Sequence, residues 1–179
     1  MKTGMRPQDI VILLKKVTPI GMKMNGKQLA ESLGISAAEV SESLERSRIA
    51  GLIDNSKSIV NTLSLKDFLT YGLRYCFPVT IGGIVKGVPT AISASPFSNQ
   101  LVSGEESFVW PCIDGKSRGQ AIEPLYPSVP NAVGTDTDFY KLMSIADVLR
   151  MGRVRERELA INELNFYLER YARQQRENC

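Results

Sequence analysis

The chain has no histidine. That absence removes the usual general base, the Ser-His and Cys-His nucleophile pairs and the commonest zinc ligand. Cysteine is scarce too: Cys76, Cys112 and Cys179 are odd in number and far apart, which suits reduced thiols better than a disulfide framework. No apolar run reaches bilayer length, and the opening MKTGMRPQD lacks the apolar centre of a signal peptide. A cytoplasmic location without membrane contact is expected. No carboxylate pair stands out for acid-base work, so neither an enzyme nor a cofactor is expected.

Charge of one sign is also in short supply. A formal net charge of +3 is small for a nucleic-acid binder, so its placement matters more than its sum. Residues 1–27 carry Lys2, Arg6, Lys15, Lys16, Lys23 and Lys27 against Asp9 alone, whereas residues 36–45 carry Glu39, Glu42 and Glu45 and no base.

The most informative stretch is NGKQLAESLGISAAEVSESLERSRIAGLI, from Asn25 to Ile53. Asn25 is an N-cap residue type, and Gln28, Leu29, Ala30 and Leu33 make a short helix that Gly34 ends by allowing a positive φ. Ser36 and Glu39 have capping-box spacing, so a second helix starts almost at once and must cross the first steeply, with Ile35 plugging the gap. In that second helix Ala37, Val40, Leu44 and Ser47 are expected to pack inward. Ala38, Glu39, Glu42, Glu45 and Arg46 then face outward, where a DNA major groove would meet them. The plainer alternative is a helical hairpin that only packs. After Leu52 and Ile53, the turn-rich Asp54 to Ser58 before Ile59 and Val60 predicts a minimal β-hairpin with Lys57 at its tip.

Elsewhere, Pro7 and the run Ile10 to Val17 predict a core helix that stops before Thr18-Pro19. Alternation over Ile20, Met22 and Met24 predicts a short strand. Ser64 and Asp67 predict a capped helix over Leu65 to Cys76. Residues 77–137 hold seven of the nine prolines and read as a compact irregular segment, with short strands over Gly83 to Val88 and Phe108 to Ile113. Gly82 to Gly87 fits no phosphate-loop pattern. Lys116, Arg118 and Glu123 suit either a polar pocket or a solvated turn. From Asp138, Phe139, Leu142, Met143, Ala146 and Leu149 predict a helix that buries one stripe. After Met151-Gly152 a longer helix runs to about Gln174. The arginines at that junction read as i, i+3 pairs, Arg153 with Glu156 and Arg155 with Glu158, in preference to an anion patch.

The residues QLAESLGIS and AAEVSESLERSRIAGLI resemble the helix-turn-helix of bacterial winged-helix regulators of the MarR type. Leu29, Ala30, Leu33, Gly34, Ile35, Val40, Leu44, Gly51 and Leu52 stand where such proteins place core and turn residues. Taken with the helix-turn-helix, the further segments YGLRYCFP, GGIVKGVPTA, FVWP, RGQAIEPLYPSVP and VLRMGRVRERELA resemble bacterial helix-turn-helix or MarR-type regulators, some of which are associated with nucleotidyltransferase toxin systems. The Pro/Gly-rich segment departs from ordinary MarR proteins.

The fold expected is therefore α+β and mostly helical, with a winged helix-turn-helix over residues 1–76 and a C-terminal domain over 77–179. The resemblance implies a transcriptional regulator that binds double-stranded DNA as a homodimer joined by its C-terminal helices. Expected DNA contacts are Lys27, Gln28, Ser36, Ala38, Ser41, Glu42, Ser43, Arg46 and Lys57. The alternative is a protein-interaction module, antitoxin-like or adaptor, whose acidic helix meets a partner protein. The field around Ser36 to Arg46 separates the two: Lys15, Lys16 and Lys27 gathered there would favour DNA, whereas dominance of the glutamates would favour a protein.

Overall fold

The computed structural model describes residues 4–99 and 107–177. It is an α+β protein, 61% helical, with one small three-stranded sheet. No described helix is long and apolar enough to cross a membrane.

Helix α1 (Pro7–Val17) is the axis of the core. Every residue from Gln8 to Val17 is buried, because α2 (Gly26–Leu33), α3 (Ala37–Ile49), α7 (Thr137–Met151) and α8 (Val154–Glu177) all pack against it. Its apolar residues accept that burial freely; its charged ones need partners. Asp9 accepts from the Arg6 backbone N–H and from Arg46. Lys15 donates to Asp136 at 2.8 Å and lies over the Phe139 ring. Burial holds the Lys16 amine below the usual lysine range, opposed by the nearby Asp54 carboxylate.

Helices α2 (Gly26–Leu33) and α3 (Ala37–Ile49) follow their capping signals. The Asn25 side chain accepts from the Gln28 N–H, Gly34 is left-handed with φ 62°, and Ser36 and Glu39 cap each other reciprocally. Ile35 is buried between the helices. The expected strand at Ile20 to Met24 is instead a single 3-10 turn, Gly21–Lys23. Gly21 sits so close to the Lys15 carbonyl that a Cβ would lie 1.8 Å from its oxygen, a contact an extended strand would not make.

The next helix begins at α4 (Thr62–Asp67), three residues earlier than expected, because the Asn61 side chain, not Ser64, provides the cap. It continues through a π-helical turn at Phe68–Gly72 into α5 (Leu73–Cys76). Leu65, Leu69 and Leu73, four apart, share the buried side.

Strands β1 (Ile81–Pro89), β2 (Phe108–Pro111) and β3 (Ser117–Ile122) close on one another: β1 is antiparallel to both, and β2 and β3 are parallel. A parallel pair usually needs a long crossover. Here five residues suffice, because Gly115 passes against the Gly87 backbone, 2.3 Å from where a Cβ would stand. A four-residue helix, α6 (Val129–Ala132), then leads to α7 (Thr137–Met151) and α8 (Val154–Glu177).

Helix α7 is buried all round from Leu142 to Arg150, not along one stripe. Asp147 makes this possible, accepting from Thr90 Oγ1 and Trp110 Nε1 at 2.7 Å and from Arg150 at 2.8 Å. Arg150 also donates to the Phe77 and Glu123 carbonyls. One apolar cluster extends from Ile10 to Tyr171 and takes in residues from both sides of the composition change at residue 77.

Candidate nucleic-acid interface

The solvent side of α2 and α3 is the surface to test, since it carries most of the expected contacts. Lys27, Gln28, Ser36, Ala38, Ser41 and Glu42 are all exposed there. Two have local duties: Gln28 closes the α2 capping box by accepting from the Asn25 N–H, and Ser36 caps α3. Ala37, expected inside, is exposed as well, and Leu44 is only half-buried.

Ser43 and Arg46 are not on this surface. The buried side of α3 is Val40, Ser43, Arg46 and Ser47, turned from the expected one by the pull of α1. Arg46 is 4% exposed and grips Asp9 with two hydrogen bonds, Nε to Oδ2 at 2.9 Å and Nη2 to Oδ1 at 2.6 Å. Its other neighbour, Glu42, lies 3.7 Å away. The Asp9 hydrogen bond and charge, and then Glu42, hold the guanidinium above its ordinary pKa despite burial. An arginine held this way cannot extend to a base edge without leaving a buried carboxylate unpaired.

Behind α3, Ile53 pairs with Val60 in a single antiparallel bridge. The Asp54 carboxylate organises the turn between them, accepting from the N–H groups of Ser56, Ser58 and Ile59. Lys57 occupies the left-handed region with φ 59°. Its amine is 2.8 Å from Glu45, which also takes two hydrogen bonds from Arg48. Those contacts from Arg48 and Lys57 pull the Glu45 carboxyl down to about 2. Lys57 is therefore tied to α3, not pointed away from it.

The charge balance of the surface follows. Lys15 and Lys16 are buried behind it, Arg46 is withdrawn, and Lys57 and Arg48 share Glu45. Exposed Glu31 and Glu42 and half-buried Glu39 stand against Lys27 and Lys23. By the criterion of surrounding charge, the glutamates dominate.

No family model, no curated protein and no solved structure matches this chain.

Sequence reasoning missed two neighbours of this region. Ser128, just before α6, donates from its hydroxyl to the Leu33 carbonyl at the end of α2, and its Cβ lies 3.5 Å from where a Gly34 Cβ would stand. Tyr171 of α8 accepts from the Val60 N–H at 3.0 Å and so holds the base of the hairpin. Neither has a local sequence signal, since each partner is remote in the chain.

The other candidates separate. Lys116 is exposed just before β3, Arg118 is exposed on β3 opposite Lys86 of β1, and Glu123 lends its backbone carbonyl to Arg150. At the α7–α8 junction the expected i, i+3 pairs do not form. The Glu156 side chain accepts from the Arg153 backbone N–H and caps the start of α8, an unsatisfied donor being a better partner than a mobile guanidinium. Among the described residues, neither Arg153 nor Arg155 is within ion-pair distance of Glu156 or Glu158.

Proposed function

We propose that this protein binds double-stranded DNA and regulates transcription, with α2 and α3 serving as a helix-turn-helix and the Asp54 to Ser58 hairpin as its wing. The observation that carries the reading is the turn itself: two capped helices separated by Gly34, Ile35 and Ser36, followed by an antiparallel bridge. This arrangement leaves small side chains, Ser36, Ala38 and Ser41, exposed on the first turns of α3, where they let a helix approach base edges closely. In such a complex Ala38 suits a thymine methyl, Ser41 a polar base edge and Glu42 the amino group of cytosine. Lys27 and Gln28, at the start of α2, suit phosphates. Arg46 and Ser43 have no part in it. Two copies act together, and Val154 and Phe166, exposed on α8, suit the contact between them.

The helix-turn geometry supports DNA, but the charge criterion points the other way: the acidic balance of the same surface favours a second reading, in which α3 meets a basic partner protein. Selection of duplexes from a random DNA library by the full chain, followed by titration across salt, separates the two. DNA binding predicts an enriched inverted repeat whose affinity falls steeply with salt, and Lys27→Ala lowers the salt slope by about 1. Absence of any enriched or retained duplex at low salt overturns it in favour of a protein partner.

A further inference from the structure

A groove of about 600 Å³ runs between α4 and the C-terminal half of α8. Its apolar part is Leu63 of α4, which is 76% exposed, with half-buried Ala172 and the edge of the core residue Leu168 on α8. Beside Ala172 and the edge of Leu168, Leu63 forms a small apolar strip within a concave, cation-rimmed surface. Its charged part is unequal: Lys66, Arg173 and Arg176 stand against Glu169. Among the described residues, no carboxylate lies within ion-pair distance of those three cations.

These features together choose an occupant. A phosphate backbone needs the cations but has no use for a concave apolar floor. An amphipathic helix with acidic flanks uses both. The lining of α8 from Asn165 to Arg176 spans about 17 Å at 1.5 Å per residue, about three helical turns. We propose that this groove binds an acidic amphipathic helix of a partner protein, its apolar stripe against Leu63, Leu168 and Ala172 and its carboxylates against Lys66, Arg173 and Arg176. The site is separate from the exposed side of α3, so it stands whether or not that surface binds DNA.

The test pans the full chain against a displayed library of helix-forming peptides about four turns long, with no charge bias in the library. Enriched peptides are expected to carry apolar residues at i, i+3 or i+4, and i+7, with Asp and Glu beside them. Their affinity should fall at least tenfold for Leu63→Ala and for Lys66→Glu/Arg173→Glu. All three side chains are partly or largely solvent-exposed, and an unchanged circular dichroism spectrum and melting temperature verifies that each variant folds. No enrichment, enrichment of basic peptides, or acidic peptides indifferent to these variants overturns the proposal. So does duplex binding abolished by the same variants, which gives the groove to nucleic acid, or a dimer that they dissociate, which gives it to a second copy.

Discussion

The guanidinium of Arg46 and the carboxylate of Asp9, 37 residues apart, form a two-pronged hydrogen-bonded pair inside the molecule, joining α3 to α1. Arg46→Ala should therefore act on stability. Removing one partner of a buried pair costs about 3 to 5 kcal/mol, because the other charge is left stranded. Asp9→Ala should cost a similar amount, and the double variant much less than the sum. Urea titration of the three variants measures this, and additivity would show that the pair is not coupled.

Acid should loosen the link between α1 and α7. Burial alone would raise the Asp136 carboxyl, but hydrogen bonds from Lys15, the Phe139 N–H and Thr18 outweigh it and hold the pKa below its ordinary value. A folded-state pKa below the unfolded one, about 3.9, means stabilisation that is complete above that pH and lost as pH falls through the folded value. Melting temperature should accordingly drop on acidification below about pH 4, and Asp136→Asn should flatten that limb while lowering stability at neutral pH.

Trp110, the only tryptophan, reports on the buried polar cluster around Asp147. Its indole N–H donates to Asp147, which also holds Thr90 and Arg150. Asp147→Ala should strand Arg150, cost about 3 kcal/mol or more, and shift Trp110 emission as the sheet parts from α7. Unchanged emission together with unchanged stability would exclude this anchoring role.

Gly87 and Gly83 lie on the same strand and should respond oppositely. A Cβ at Gly87 would stand 2.1 Å from the Trp110 carbonyl oxygen, whereas nothing lies within 4 Å of one at Gly83. Gly87→Ala should prevent the three strands from closing, seen as a lost or much lower melting transition. Gly83→Ala should be neutral or stabilising by up to about 1 kcal/mol through the unfolded chain.

The parts of this fold legible in the sequence are those set by neighbours in the chain. Asn25, Gly34, Ser36 and Glu39 declare the α2 and α3 boundaries because capping acts over three residues. The continuous apolar run of α1 declares its burial. What was not legible depends on partners far away. Arg46 reads as a surface residue until Asp9 is known to face it. The strand SRGQAI has no alternation and forms because β1 and β2 leave it two edges to pair with. Asp147 and Arg150 disguise α7 as one-sided, since two charges that neutralise each other can be buried together. The candidate interface was legible as a location and misread in its orientation, by about one residue of helical rotation, which exchanged Ala37 for Ser43 and Arg46.

The hydrogen bond from the Val60 N–H to Tyr171 carries a consequence in time. During synthesis the hairpin leaves the ribosome long before the residue that secures its base has been translated. α2 and α3 can form as they emerge, since their caps are local, but the hairpin beside them stays unfastened until α8 arrives. A nascent or prematurely terminated chain would thus present the helix pair without its finished flank, which is fastened only once Tyr171 has left the ribosome.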